Sequence, residues 1–268
     1  MVRRPDGKAD WEYLLLHRAH RGPGYAGDWA WTPPSGARLP GEPVLLGALR
    51  ELKEEAGITS AEPVPVDLSG PWAIFLAEVP APTRVRLDAE HDRFAWVPEA
   101  EALARCRPAS VAASLEEAAA VPRYDVAFRP LTPAGPGIDG NALAQGHVVL
   151  VRGRPCGFIQ HYPVDGRTPD DPSAAGLDFG IGIARPTGVG LGPQLIWAYL
   201  VTVVAPRWPR LKTVVASPDA ANTHLIRALA KAGFRPASET VQAAHLVGPE
   251  RPELSFALDR LHMLGPGG

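Results

Sequence analysis

Three glutamates, Glu51, Glu54 and Glu55, stand at positions i, i+3 and i+4 of one short stretch, directly after Arg50. On a helix that spacing brings their carboxylates to one flank, where their mutual repulsion calls for a counter-charge. Arg50 can offset one of them, and a hard divalent cation suits clustered oxygen donors. A solvated acidic helix face accounts for the charge run equally well. A second stretch invites a different chemistry. Gly188, Gly190 and Gly192 fall between an apolar run and the start of a helical pattern. Backbone N–H groups and a positive helix end would face an anion there, although a flexible glycine loop is the alternative.

The elements that must hold these groups can be read from periodicity. Residues 11–17 are apolar enough for a buried strand, and Gly22 to Pro40 reads as a long loop carrying Trp29 and Trp31. From Pro43 to Ala56 apolar residues recur every three or four positions and Gly57 marks a stop, which predicts the helix that carries the glutamates. Strands are predicted over 72–79 and 94–97, and one helix over 99–120. Beyond a boundary placed at 121–124, the spacing predicts a hairpin about Gly153 and strands over 177–183, 211–216 and 255–258. Helices are predicted after the glycine turn to about Val204 and over 222–232.

The segment Gly36-Ala-Arg-Leu-Pro-Gly-Glu42-Pro-Val-Leu-Leu-Gly-Ala-Leu-Arg50-Glu51-Leu52-Lys53-Glu54-Glu55-Ala56-Gly57-Ile58 carries every fixed position of the Nudix box. Residues 8–120 therefore resemble the Nudix hydrolases, with Trp31-Thr-Pro-Pro-Ser35-Gly36 where that family more often has Pro-Gly-Gly. The resemblance implies that Glu51, Glu54 and Glu55 ligate Mg²⁺ or Mn²⁺, with the Gly36 carbonyl and Glu90 as further ligands. Arg50 would orient Glu51, and Glu42 would support the site. It also implies a small-molecule substrate in which a nucleoside diphosphate is linked to another moiety, hydrolysed at phosphorus.

Phe128-Arg-Pro-Leu-Thr, Gly157 to Tyr162, Gly176 to Gly182, the glycine loop, Asn222 and Lys231-Ala-Gly-Phe234 resemble the GCN5-related N-acetyltransferases (GNAT), and among them the aminoglycoside 6′-N-acetyltransferase-like group. The implied cofactor is acetyl-CoA and the implied acceptor a primary amine. The amides of Val189, Gly190, Leu191 and Gly192 would hold the pyrophosphate and Asn222 the pantetheine arm. Asp178 would hold or deprotonate the amine, with Gln160 and Tyr162 facing the acceptor. Three departures stand out. Thr187 and Pro193 alter the loop, Leu229 stands where the family commonly has a tyrosine acid, and only Pro133 to Gln145 fills the place of two acceptor-walling helices. This half is thus either a transferase for an unusual acceptor or a non-catalytic acyl-CoA-binding module that regulates the hydrolase.

The expected fold is two-domain α/β (α+β). An N-terminal Nudix α/β/α sandwich spans 1–122, and a GNAT-like mixed sheet with helices, lacking the first two family helices, spans 123–268. Length agrees, since 268 residues make just under two units of ordinary size. The 27 basic residues against 29 acidic ones leave a net charge of −2, so no basic field exists to attract nucleic acid. Cys106 and Cys156, without a CxxC or CxxH spacing, argue against a disulfide framework or a zinc site. The start of the chain lacks a signal-like apolar stretch, and the longest apolar run, Leu195 to Ala205, is too short to span a bilayer. The expected location is cytoplasmic, with no membrane partner.

Overall fold

The structure is a computed structural model that describes residues 1–8, 10–131, 145–164, 172–180, 190–237 and 256–259. The chain divides into two compact units, one of Met1–Val66 with Trp72–Arg123, the other of Asp67–Pro71 with Tyr124–Gly268. No helix among the described residues is long and apolar enough to cross a membrane.

In the first unit the strands are β1 (Val2–Pro5), β2 (Trp11–Arg18), β3 (Trp31–Thr32), β4 (Val64–Asp67), β5 (Ile74–Glu78) and β6 (His91–Pro98). The helices are α1 (Val44–Ala56), α2 (Glu99–Arg105) and α3 (Ala109–Ala119). The sheet runs β3-β2-β1-β5-β4, with β6 also paired to β2. β2 explains the layering. Strand geometry sends alternate side chains to opposite faces, so Leu14 and Leu16 pack with Leu52 and Ala56 of α1. Tyr13 and Leu15 pack with Ala102, Cys106 and Leu115 on the other side. Both faces are covered, which is why the strand reads as an unbroken apolar run rather than an alternating one. Each leucine so enclosed contributes about 1.5–3 kcal/mol.

Two features depart from the periodicity. β1, Val-Arg-Arg-Pro, has almost no apolar signal, yet Arg3 is buried. Its guanidinium pairs with Glu78 at 2.6 Å and lies over the Trp11 ring at 4.3 Å, so charge and π-face replace apolar packing. The single helix expected over 99–120 is two helices. Cys106 turns extended after α2, and Pro108 caps the start of α3. Proline lacks the N–H that a continuing helix needs and pushes the preceding residue out of helical geometry.

The second unit holds β7 (Val126–Pro130), β8 (Gln145–Val151), β9 (Arg154–Pro163), β10 (Ala174–Gly180), β11 (Thr213–Ala216), β12 (Arg235–Pro236) and β13 (Phe256–Asp259). They lie in the order β12-β13-β11-β10-β9-β8-β7. β10 and β11 are parallel, and the other described pairs are antiparallel. Arg152 and Gly153, both with positive φ, make the tight turn of the expected β8–β9 hairpin. Helix α4 (Leu191–Tyr199) runs on as a π-helical stretch, Leu200–Val204, into α5 (Ala205–Arg207), and α6 spans Thr223–Lys231. β7 pairs directly with β8. The residues between them, where two family helices were expected to be missing, lie outside the described ones. So does the end of the strand expected over 177–183.

The core of this unit has a polar centre. His161 on β9 and His147 on β8 both reach the Tyr199 hydroxyl, at 2.7 and 3.0 Å, and His161 stands edge-on to the buried Trp208. Burial lowers the His161 imidazole to about 4 and raises the Tyr199 phenol.

Candidate functional site

Helix α1 is terminated as its sequence requires. Gly57 adopts φ 68°, the left-handed conformation that glycine tolerates best, and its N–H returns to the carbonyls of Leu52 and Lys53. Leu52 and Ala56 fix the helix against the sheet. With those two positions facing inward, the three glutamates share a flank but not an environment: Glu54 is 54% exposed, Glu51 17% and Glu55 6% by side chain.

Arg50 gathers this flank. Its Nε and Nη2 donate to the two oxygens of Glu42 at 2.8 and 3.0 Å, and Nη1 donates to both Glu51 and Glu54 at 2.8 Å. Nη2 also donates to the carbonyl of Ala37, which ties the preceding loop to the helix. The Glu42 carboxylate in turn accepts the Leu39 N–H at 2.9 Å. Hydrogen bonds from Arg50 and from that amide hold the Glu42 carboxyl down at about 2, and the same carboxylates raise the Arg50 guanidinium. The five contacts draw on the guanidinium's five N–H donors held in a fixed planar fork, more than the three that an ammonium carries.

Glu55 is the enclosed member of the three. Its Oε2 accepts the Ser35 N–H at 2.7 Å, and its Oε1 lies 3.8 Å from His91 Nε2. Desolvation is the main cause that pushes its carboxyl up to about 7. Ser35 opposes the shift and the nearby Glu51 charge adds to it. Gly36 is where backbone meets carboxylate. A Cβ built there would sit 2.1 Å from the Glu51 Cδ and 2.2–2.3 Å from its oxygens, so only glycine leaves room. Glu90 is largely exposed and pairs with Arg18 at 3.8 Å. Among the described residues, no three His, Cys, Asp or Glu side chains already stand together as they would around a metal ion.

Sequence reading did not single out His91, Asp88 or Ser35. The signal was present in the run Asp88-Ala-Glu-His-Asp92, which crowds acids and a histidine at the start of β6.

In the second unit Asp178 and Gln160 are cross-strand partners on β10 and β9, with Gln160 Nε2 donating to Asp178 Oδ2 at 3.1 Å. Asp178 also accepts its neighbour's amide, Phe179 N–H, at 2.8 Å. Tyr162 lies on the same face, against Gly176, where a Cβ would meet its ring at 2.3 Å. Gly190 takes the left-handed conformation just ahead of α4, and Leu191 and Gly192 form the first turn. Val189 lies outside the described residues. Asn222 caps α6, its side-chain oxygen accepting the Leu225 N–H at 3.1 Å, and Leu229 is wholly buried. A Cβ at Gly192 would come within 2.7 Å of the Ala228 Cβ, so this glycine lets α4 approach α6. Gly192→Ala is expected to destabilise the protein by about 1–3 kcal/mol, as overpacked sites do, and denaturant unfolding would measure it.

Comparison with known proteins agrees with both halves. Residues 1–117 match the NUDIX domain and residues 136–241 match the acetyltransferase (GNAT) domain. Among solved structures the chain is similar to an Ap4A hydrolase of C. elegans, at 28% identity over 43% of this chain and 88% of that one, with a TM-score of 0.35. It is also similar to the aminoglycoside acetyltransferase AAC(6')-Ib in complex with coenzyme A and kanamycin, at 25% identity over 44% and 68% of the two chains, TM-score 0.36. An aminoglycoside N(6')-acetyltransferase of Legionella pneumophila matches at 23% identity over 45% and 66%, TM-score 0.35. No curated protein matches the chain. The molecule is thus of the mixed α/β class with two sheets, and it joins a Nudix hydrolase domain to a GNAT acetyltransferase domain.

Proposed function

We propose that the first unit hydrolyses nucleoside-diphosphate-linked compounds with the help of Mg²⁺ or Mn²⁺, and that the second transfers an acetyl group from acetyl-CoA to a primary amine. The observation that carries the hydrolase reading is the Arg50 clasp over Glu42, Glu51 and Glu54 with Glu55 buried beside it. Such a set fits a divalent cation. Its donors are hard oxygens, and Glu55 is a carboxyl whose ionisation burial opposes, a cost that a cation would offset. Glu51, Glu54 and Glu55 would hold the ion, with the Gly36 carbonyl and Glu90 as further candidate ligands. When bound it supplies charge neutralisation at a phosphoanhydride and acidifies water.

The chain's own side chains do the rest. Arg50 keeps Glu51 and Glu54 in one orientation, and the Ser35 amide fixes one oxygen of Glu55. In hydrolysis a water oxygen bonds to phosphorus as the bridging P–O bond breaks, and the water's proton passes to a carboxylate or solvent while the leaving phosphate departs. Cation-dependent nucleotide release, assayed over a panel of nucleoside-diphosphate derivatives, is expected to fall in Glu54→Gln by roughly 10²- to 10⁴-fold. Unchanged turnover in that variant would end the reading.

For the second unit, Asp178, held by Gln160, presents an acceptor for an amine N–H. A second reading, a non-catalytic acyl-CoA-binding module, is favoured by Leu229, which is enclosed in the core and offers no proton to a leaving thiolate. Thiol release from acetyl-CoA with a panel of primary amines separates the two. Turnover that disappears in Asp178→Asn supports transfer, and acetyl-CoA binding without turnover supports the module.

A further inference from the structure

His91 is enclosed at the start of β6, only 4% exposed, and its two ring nitrogens differ in circumstance. Nδ1 lies 2.9 Å from Asp88 Oδ1. An ionised carboxylate only accepts, so Nδ1 carries the hydrogen. Nε2 is buried with no hydrogen-bond partner among the described residues, and Glu55 Oε1 stands 3.8 Å from it, beyond hydrogen-bond reach. A native interior rarely leaves a polar atom in that condition without a use.

Resting on the metal-dependent hydrolase reading, we propose that His91 Nε2 is a nitrogen ligand of the cation that Glu55 binds. Two metal–ligand bonds of about 2.1 Å can span up to roughly 4.2 Å, so a single ion can bridge the 3.8 Å between Nε2 and Oε1. Asp88 supplies the supporting carboxylate that metal-bound histidines use to fix their tautomer and ring direction. The functional consequence is metal choice. An all-oxygen site suits Mg²⁺, whereas one imidazole nitrogen tilts affinity toward Mn²⁺, Co²⁺ and other later ions.

Pulsed electron paramagnetic resonance on the full-length protein loaded with Mn²⁺ tests this without relying on turnover. The expected result is ¹⁴N modulation from a directly bound imidazole, converted to the ¹⁵N pattern when the histidines are labelled, a test that requires no substitution. In His91→Gln the modulation should vanish and the Mn²⁺ Kd rise roughly 10- to 100-fold, with a smaller change for Mg²⁺. Mn²⁺ bound at the glutamates, as judged by its loss in Glu54→Gln, but without nitrogen modulation would overturn the proposal and leave the hydrolase reading intact; His91 would then only pair with Glu55. Modulation that survives in His91→Gln overturns it as well. Absence of any bound Mn²⁺ removes both readings.

Discussion

Glu55→Gln is expected to abolish hydrolysis and at the same time make the protein harder to unfold at pH 8. The loss should be roughly 10²- to 10⁴-fold in kcat/KM, the range for removal of an acid–base or metal-bound carboxylate. The gain follows from burial. Desolvation raises the Glu55 carboxyl from 4.5 to about 7 in the folded protein, so between those values the native state holds a proton that the unfolded chain has released. The stabilisation is complete below pH 4.5 and disappears as pH rises through 7. At about 1.4 kcal/mol per pH unit the ionised side chain costs the fold about 3 kcal/mol above that range. A glutamine keeps the shape, can still accept the Ser35 N–H, and carries no charge to desolvate. Thermal unfolding at pH 5 and pH 8 checks the sign: the variant and parent should converge at the lower pH and separate at the higher. Equal stability of the two at pH 8 would show that Glu55 is not held at this cost.

The second large effect is expected from one methyl group. Gly36→Ala places a Cβ 2.1 Å from the Glu51 Cδ, and the carboxylate, at the end of a flexible chain, must yield. The fold should tolerate the change, with Tm nearly unaltered. The Arg50–Glu51 contact at 2.8 Å will not survive in its present place. A displacement of about 1 Å at a reacting centre can cost on the order of 10²-fold, and kcat/KM should fall by about that much, with weaker binding of the divalent ion in calorimetric titration. A fully active Gly36→Ala protein would mean that Glu51 has no fixed station in catalysis.

Much of this was legible in the chain, and for definite reasons. The helix that carries the glutamates announces itself through Leu45, Ala48, Leu49 and Leu52 and stops at Gly57, because burial and the left-handed cap are both local demands. The β8–β9 turn at Gly153 was readable on the same grounds, and the helix predicted over 222–232 is α6, which the structure shows capped by Asn222. What escaped was non-local. β1 is held by Arg3 reaching Glu78 and Trp11, contacts that no periodicity records. The break between α2 and α3 was written in Pro108 but outweighed by the alanine-rich composition around it. At the site, the three glutamates read as ligands lie along α1, whereas Gly36 precedes it and Glu90 stands just ahead of β6; the division of the glutamates into an exposed clasp and a buried carboxyl depends on which flank the sheet covers. The partnership of His91 with Asp88 and Glu55 needs α1 and β6 folded together before it exists.

The Tyr199 hydroxyl has a single hydrogen to give and two imidazole nitrogens within reach. When one ring receives it, the other must supply its own, so His147 and His161 hold complementary tautomers, and a change in either obliges the other to rearrange.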